Sequence, residues 1–211
     1  MIVIVDYGVG NLRSVQKALE RVGATAVVTS DPDALDAAQG VVLPGVGAFG
    51  DGMDNLQARR LVEPILRQVE NEKPLLGICL GMQLLFEESE EMGLNQGLGL
   101  LPGRVVRFPD GELKVPHIGW NQLRMVVPRP ETALLEGIND GAHAYFVHSY
   151  YPVPAEPGDL LATTEYGLEF ASVVGRGRIW GAQFHPEKSQ DVGLRLLQNY
   201  ARLVSALAAG G

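Results

Sequence analysis

The first eighty residues alternate between two patterns of apolar positions, short β-branched runs and stretches at helical spacing. Ile2 to Val5 is a continuous apolar run, the mark of a strand covered on both faces in a parallel sheet. Leu12, Val15, Leu19 and Val22 fall on one face of a helix predicted over 12–22, with Gly23 as its stop. Strands are predicted at 25–29 and 40–43, a helical stretch runs through about residue 69, and 74–78 reads as another buried strand. This βαβ rhythm argues for a parallel, right-handed sheet. Apolar residues return at helical spacing over 80–87, with Leu80, Leu84 and Leu85 turned inward.

The second half reads differently. Residues 93–103 are glycine-rich and loop-like, and short apolar segments follow at 104–108, 145–147, 160–164, 170–174 and 179–184, with turn residues between them. They predict a partly antiparallel continuation of the same sheet system. Val192, Leu196, Tyr200, Leu203 and Leu207 lie near one stripe of a closing helix over 191–206, and 208–211 should fray. The fold class is therefore α/β, an open, mostly parallel sheet flanked by helices, with antiparallel strands in the second half. Glu87 to Glu91 places four acids at a predicted helix end, where the dipole disfavours them, and reads as solvated surface.

Composition narrows the classes of function. With 211 residues the chain is most simply one domain, 1–211, long enough to bury a large core. Twenty-five acids against seventeen Lys and Arg give a net charge of -8, which argues against nucleic acid and anionic membranes as partners. One cysteine excludes an internal disulfide framework and fits a reducing compartment. The N-terminal run is too short and too acidic for a signal peptide or a span, so a cytoplasmic protein is expected. Four scattered histidines predict no metal, and no cofactor is implied.

The candidate chemistry centres on that cysteine. Gly77-Ile-Cys-Leu-Gly81 is the thiol form of a nucleophile elbow, a strand turning sharply into a helix with Cys79 exposed at the bend. The glycines on either side let strand and helix pass closely. A helix beginning at Leu80 would point its positive end at the sulfur and favour the thiolate. A small buried hydrophobe is the equal alternative for a lone cysteine, and this stretch does not decide between them. Far along the chain, Gln183-Phe-His-Pro-Glu187 follows an apolar strand and separates His185 from Glu187 by two positions, which in extended backbone puts both on one side. A thiol nucleophile needs a base to take and return a proton and an acid to orient the imidazole. Cys79, His185 and Glu187 supply all three parts. His117, His143 and His148 read as structural.

An elbow cysteine followed by a distant His-Pro-Glu resembles the triad glutaminases, the class I glutamine amidotransferases. The resemblance covers nearly the whole chain. Val3-Ile-Val-Asp-Tyr-Gly-Val-Gly-Asn-Leu-Arg-Ser14, Leu43-Pro-Gly-Val-Gly-Ala-Phe49, Pro116-His-Ile-Gly-Trp-Asn121, Tyr145-Phe-Val-His-Ser-Tyr150 and His185-Pro-Glu-Lys-Ser189 are similar to one branch of that family. It passes ammonia to a (β/α)8-barrel cyclase in histidine biosynthesis. The resemblance implies that Cys79 attacks the carboxamide of glutamine, His185 protonates the departing ammonia and Glu187 orients His185. It implies an oxyanion hole from the N–H groups of Val46 and Leu80, glutamine binding at Gly47, Gln83, Ser149 and Tyr150, and a docking face with Asn11, Trp120, Tyr145 and Lys188. No barrel sequence follows residue 211, so the cyclase is expected as a separate chain in a heterodimer.

Two further readings attach to glycine loops. Gly45 takes positive φ cheaply, so the Gly45–Val46 peptide can rotate and swing the Val46 N–H toward or away from the oxyanion. A turn with no switching is the alternative. The loop Asp6-Tyr-Gly-Val-Gly-Asn11 suggests a nucleotide fingerprint, but Arg13 stands where the third glycine belongs. A glutaminase serving another synthase, or a noncatalytic docking subunit, would share much of this pattern. The 3–14 and 116–121 stretches argue against the first, and the intact Cys, His and Glu against the second.

Overall fold

The computed structural model describes residues 1–111, 113–126 and 130–209. In the first half, β1 (Ile2–Val5), β2 (Ala26–Thr29), β3 (Gly40–Gly45) and β4 (Leu75–Cys79) alternate with α1 (Leu12–Arg21), α2 (Pro32–Asp36), α3 (Phe49–Ala58) and α4 (Val62–Glu70). A single turn, α5 (Leu80–Gln83), follows β4. Then come β5 (Phe86–Ser89), β6 (Asn95–Gln96), β7 (Leu101–Arg107), β8 (His117–Gln122), β9 (Arg124–Met125), β10 (His143–His148), β11 (Tyr150–Pro154), β12 (Leu160–Glu165), β13 (Glu169–Arg176) and β14 (Ile179–Ala182), and α6 (Gln190–Ala209) closes the fold.

The main sheet runs β2-β1-β3-β4-β14-β13-β12-β9. From β2 to β14 its strands are parallel, and β13, β12 and β9 then pair antiparallel, as the change of pattern at mid-chain predicts. Alternate residues of β1 feed opposite faces. Ile2 and Ile4 pack with Val15 and Leu19 of α1 and Leu196 of α6, while Val3 and Val5 pack with Phe49 and Leu56 of α3 and Ile65 of α4. Helices on both faces are the reason the run has no polar positions. Tyr200, fully buried on α6, directs its hydroxyl at the carbonyls of Val41 (2.7 Å) and Pro74 (3.0 Å), where β3 and β4 begin.

Two small sheets depart from the single sheet system expected of the second half. β11-β7-β5-β6 forms a four-stranded sheet, and β10 pairs antiparallel with β8 alone. The helix expected over 80–87 stops at Gln83. The reason is three consecutive buried side chains, Leu84, Leu85 and Phe86, which one helical face cannot cover, and carbonyls that bond across to the returning chain instead of along a helix. Leu84 O receives Leu98 N at 2.9 Å and Leu85 O receives Leu100 N at 2.8 Å, so the expected 93–103 loop contains β6 and the start of β7. The helical stretch to residue 69 is broken at Arg60, which takes φ 57 between α3 and α4. α6 continues through Ala209 where fraying was expected, and residues 210–211 lie outside the described residues.

Removing the Tyr200 hydroxyl tests how α6 is held. Pro74 O keeps the Val41 N–H at 2.8 Å. Tyr200→Phe therefore loses one net hydrogen bond and should lower unfolding free energy by about 1 kcal/mol in urea titrations, without altering the sheet.

Candidate active site

Three neighbouring parallel strands, β3, β4 and β14, end on the same edge, and their carboxyl ends assemble the site. This is where open α/β sheets place ligands. β4 ends on Cys79 itself, at φ 53 and ψ -111, a backbone that a side-chain-bearing residue adopts only when its surroundings compel it. The surroundings are the flanking glycines. A Cβ at Gly77 would lie 2.6 Å from Gly81 O and 2.7 Å from Met82 N, and one at Gly81 would collide with Leu43 O. Only glycine at both positions lets the chain double back so tightly.

The structure brings Cys79, His185 and Glu187 together. His185 Nδ1 stands 2.9 Å from Glu187 Oε1, with side chains 4% and 1% exposed. The spacing works through a turn, however, because Pro186–Lys188 is 3-10 helical and the extended backbone expected there is absent. Burial opposes a charge on His185, but hydrogen bonds and charge from Cys79 and Glu187 outweigh it and push the imidazole up to about 10. An imidazolium is therefore held beside the sulfur across neutral pH. Its backbone is held as firmly: His185 N donates to Tyr145 O (3.0 Å), Ser189 Oγ donates to His185 O (2.7 Å), and Tyr145 N donates to that Oγ (2.9 Å). Ser189 thus has a supporting role that sequence reasoning did not assign.

Cys79 opens into a pocket of about 310 Å³, which Val46, Gly47, Leu80 and Gln83 line on one side and Ser149, Tyr150, His185 and Lys188 on the other. All four expected glutamine-binding residues are in this wall. Val46 is 43% exposed on the free loop after β3. In that loop the left-handed residue is Gly47 (φ 105), while Gly45 lies within β3 and is needed for its small size. A Cβ there would strike the Tyr7 hydroxyl and approach Leu80 Cβ to 2.9 Å. Tyr7 is wholly buried, its hydroxyl finds no partner among the described residues, and burial and the nearby Cys79 push its ionisation well above the usual phenol range. The loop before α1 closes against the same place, with Gly10 packed on Gly45.

The expected docking residues lie beside the pocket. Trp120 is 47% exposed and meets the Tyr145 ring edge-on at 5.9 Å, and Lys188 Nζ lies 5.8 Å above the Tyr145 ring. Asn11 is exposed at the start of α1, with no capping bond from its side chain. The acidic run also differs from a plain solvated face. Glu91, half-buried on the pocket wall, accepts the Phe49 N–H at 2.7 Å as α3 begins, and Glu87 and Glu90 accept the Gly103 and Arg107 N–H groups at 2.9 Å each.

His143 is exposed, whereas His117 and His148 are buried and bonded to each other. Gln183, buried between β14 and His185, was missed as a site residue. Its signal was a lone amide closing an apolar strand. Among the described residues no group of three His, Cys, Asp or Glu side chains is arranged to hold a metal ion, and no helix is long and apolar enough to cross a membrane.

Comparison with known proteins bears on the family and the fold. The family described as "Glutamine amidotransferase class-I" matches residues 3–202. The "Imidazole glycerol phosphate synthase subunit HisH" of Syntrophotalea carbinolica is 57% identical, over 95% of this chain and 98% of that protein. The protein of the same description from Geobacillus kaustophilus is 54% identical over 100% of both. Among solved structures, a "glutamine amidotransferase" superposes with a TM-score of 0.74 at 22% identity, covering 99% of this chain and 100% of that one, which supports the fold.

The histidine–carboxylate bond carries a testable sign. Glu187→Gln removes one of the groups that raise His185 while the burial that lowers it stays. The His185 ring should then titrate at lower pH in NMR spectra, and an unchanged midpoint would show that Cys79 alone sustains the imidazolium.

Proposed function

This chain belongs to the class I glutamine amidotransferases, and from that premise we propose that it is the glutaminase subunit of an imidazole glycerol phosphate synthase. The observation that carries the reading is the buried Cys79 and His185 in a pocket walled by Gln83, Ser149 and Tyr150, with Glu187 bonded to His185 from behind. Residues 1–211 act as one domain in the cytoplasm.

Cys79 Sγ attacks the carboxamide carbon of glutamine, and the carbonyl electrons move onto oxygen. The N–H groups of Leu80 and Val46 receive that oxyanion, a contribution for which loss of one donor typically costs about 3 kcal/mol of barrier. His185, protonated at neutral pH, gives its proton to the departing nitrogen, and ammonia leaves. The γ-glutamyl thioester remains. A water then gives its proton to the now neutral His185 as its oxygen adds to the acyl carbon, and glutamate and the Cys79 thiolate are released. Glu187 keeps the imidazole oriented throughout. Gly47, Gln83, Ser149 and Tyr150 hold the amino acid.

Free ammonia is lost to solvent unless a second site takes it up. The partner is a separate (β/α)8-barrel cyclase docked over Asn11, Trp120, Tyr145 and Lys188, and the heterodimer has the lyase activity that makes imidazole glycerol phosphate and aminoimidazole carboxamide ribonucleotide. Rotation of the Gly45–Val46 peptide is the step by which ligand on the cyclase completes the oxyanion hole. A glycine at 45 leaves that peptide free of side-chain hindrance.

Mixing the chain with the cyclase, glutamine and the ribonucleotide substrate should release glutamate, and Cys79→Ala should abolish the release. Activity that survives the substitution would sink the mechanism. At the docking face, Trp120→Ala should weaken cyclase binding about tenfold or more in titration calorimetry while the melting temperature holds. Equal affinity would remove Trp120 from the interface.

A further inference from the structure

Gln183 is wholly buried, and its amide reaches the sulfur of Cys79, with Nε2 3.8 Å from Sγ. On its other side Oε1 accepts Gln83 Nε2 at 3.1 Å. The two ends of an amide have the same shape, so bonding partners must decide which end faces sulfur. Here a carbonyl decides it. Tyr150 O can only accept, and it takes Gln83 Nε2 at 2.9 Å and His148 Nδ1 at 2.9 Å. With Gln83 Nε2 committed as a donor to Tyr150, its second proton meets Gln183, whose facing atom must be the oxygen. The Gln183 N–H is thereby turned to Cys79.

A second chain of donors converges on the same Tyr150 carbonyl. His148 donates through Nδ1, so its Nε2 accepts from His117 Nδ1 at 3.0 Å, and His117 Nε2 accepts from Asn121 Nδ2 at 3.3 Å. Asn121 is itself fixed, because Nδ2 also donates to Glu165 O at 2.8 Å and Oδ1 accepts the Gln122 N–H at 2.8 Å. The chain requires two neutral imidazoles. Burial supplies them, pulling His117 down to about 4 and, with the charges of His117 and His185 adding to burial against the Tyr150 bond, His148 down to about 3.

We infer that Gln183 is a further catalytic residue of the glutaminase reaction proposed above, donating its amide N–H to Cys79 Sγ whenever the sulfur is anionic, with Gln83 and the His148–His117–Asn121 chain as positioning residues. The contact has an opponent. Val147 O, also 3.8 Å from Sγ, accepts from a protonated thiol and favours that form. Gln183 and His185 favour the anion. When the sulfur bonds to the acyl carbon its electron pair is shared and the Gln183 contact weakens. When water cleaves the thioester the pair returns to sulfur and the N–H re-engages. Charge-assisted bonds strengthen in just this way as charge develops on the acceptor.

Other groups also face the sulfur or its base. His185 bonds to Cys79, Tyr7 lies near enough to feel its charge, Glu187 bonds to His185, the His185 charge acts on His148, and Glu91 and Lys188 line the same pocket. Substitution at Gln183 leaves all of them in place. Gln183→Glu keeps an acceptor for Gln83 and removes the donor to sulfur, while Gln183→Met removes the donor without adding charge.

Alkylation of Cys79 by iodoacetamide, followed against pH in the full chain, reads the sulfur without requiring glutamine turnover. Half-maximal alkylation should move up by about one pH unit in Gln183→Glu, and less but in the same direction in Gln183→Met. In the cyclase complex kcat should fall about ten- to a hundredfold, with KM nearly unchanged. A lower melting temperature with an unmoved alkylation profile in a folded variant would reduce Gln183 to a structural residue and overturn the inference. If Gln183→Glu does not fold, Gln183→Met decides. A wild-type complex that releases no glutamate would overturn the proposed function instead, a result separate from the alkylation curve.

Discussion

The left-handed turn at Cys79 is the constraint on which the rest of the site depends. To hold φ 53 at a residue with a side chain, the chain must pass its own backbone at contact distance, and Gly77 and Gly81 exist to permit it. That turn spends α5 in four residues and leaves Leu84, Leu85 and Phe86 no helical path. They run straight into the four-stranded sheet, whose β11 begins at Tyr150. Gln83 and Tyr150 therefore meet because the elbow is tight. The far wall of the pocket includes His148, Ser149 and Tyr150, where β10 leaves one small sheet and, after Ser149 alone, β11 joins the other.

Two histidines in this pocket are shifted in opposite directions although burial disfavours the charged form of both, and their partners explain the difference. His185 faces a sulfur and a carboxylate, both able to carry negative charge, and is held protonated to about pH 10. His148 faces a carbonyl and another imidazole, neither carrying a negative charge, and burial outweighs the Tyr150 bond and keeps it neutral. Separating the two protonation states in one site is what allows one ring to move protons while the other only orients its neighbours.

Much of this was legible in the chain because it follows from local pattern. The parallel strands declare themselves by unbroken apolar runs; Cys79 closes one of them, and His185 and Glu187 follow another by a few residues. The misreadings share a different cause. Helical spacing over 80–87 is real, yet the partners of Leu84 and Leu85 are residues 98–101, and no local pattern reports a bond across the fold. Positive φ is the use expected of Gly45, but Tyr7 and Leu80 dictate that glycine by size, and it is Gly47 that takes the positive φ. Gln183 escaped notice for the same reason: its meaning lies in bonds to Gln83 and Cys79, 100 and 104 residues away along the chain.

That β10 serves the pocket and the proposed docking strip together follows from strand geometry. Tyr145 and Val147 point to one face, and Ala144, Phe146 and His148 to the buried one. Along the open face, Tyr145 carries Trp120 and Lys188, and two residues on Val147 offers its carbonyl to Cys79. Tyr145 also grips the catalytic segment through its backbone, directly at His185 N and through Ser189 at His185 O. A partner that presses on the Tyr145 ring loads the same strand that positions the imidazole. Coupling between cyclase occupancy and glutamine cleavage then needs no long conduit, because in the proposed complex the two sites share one strand of six residues.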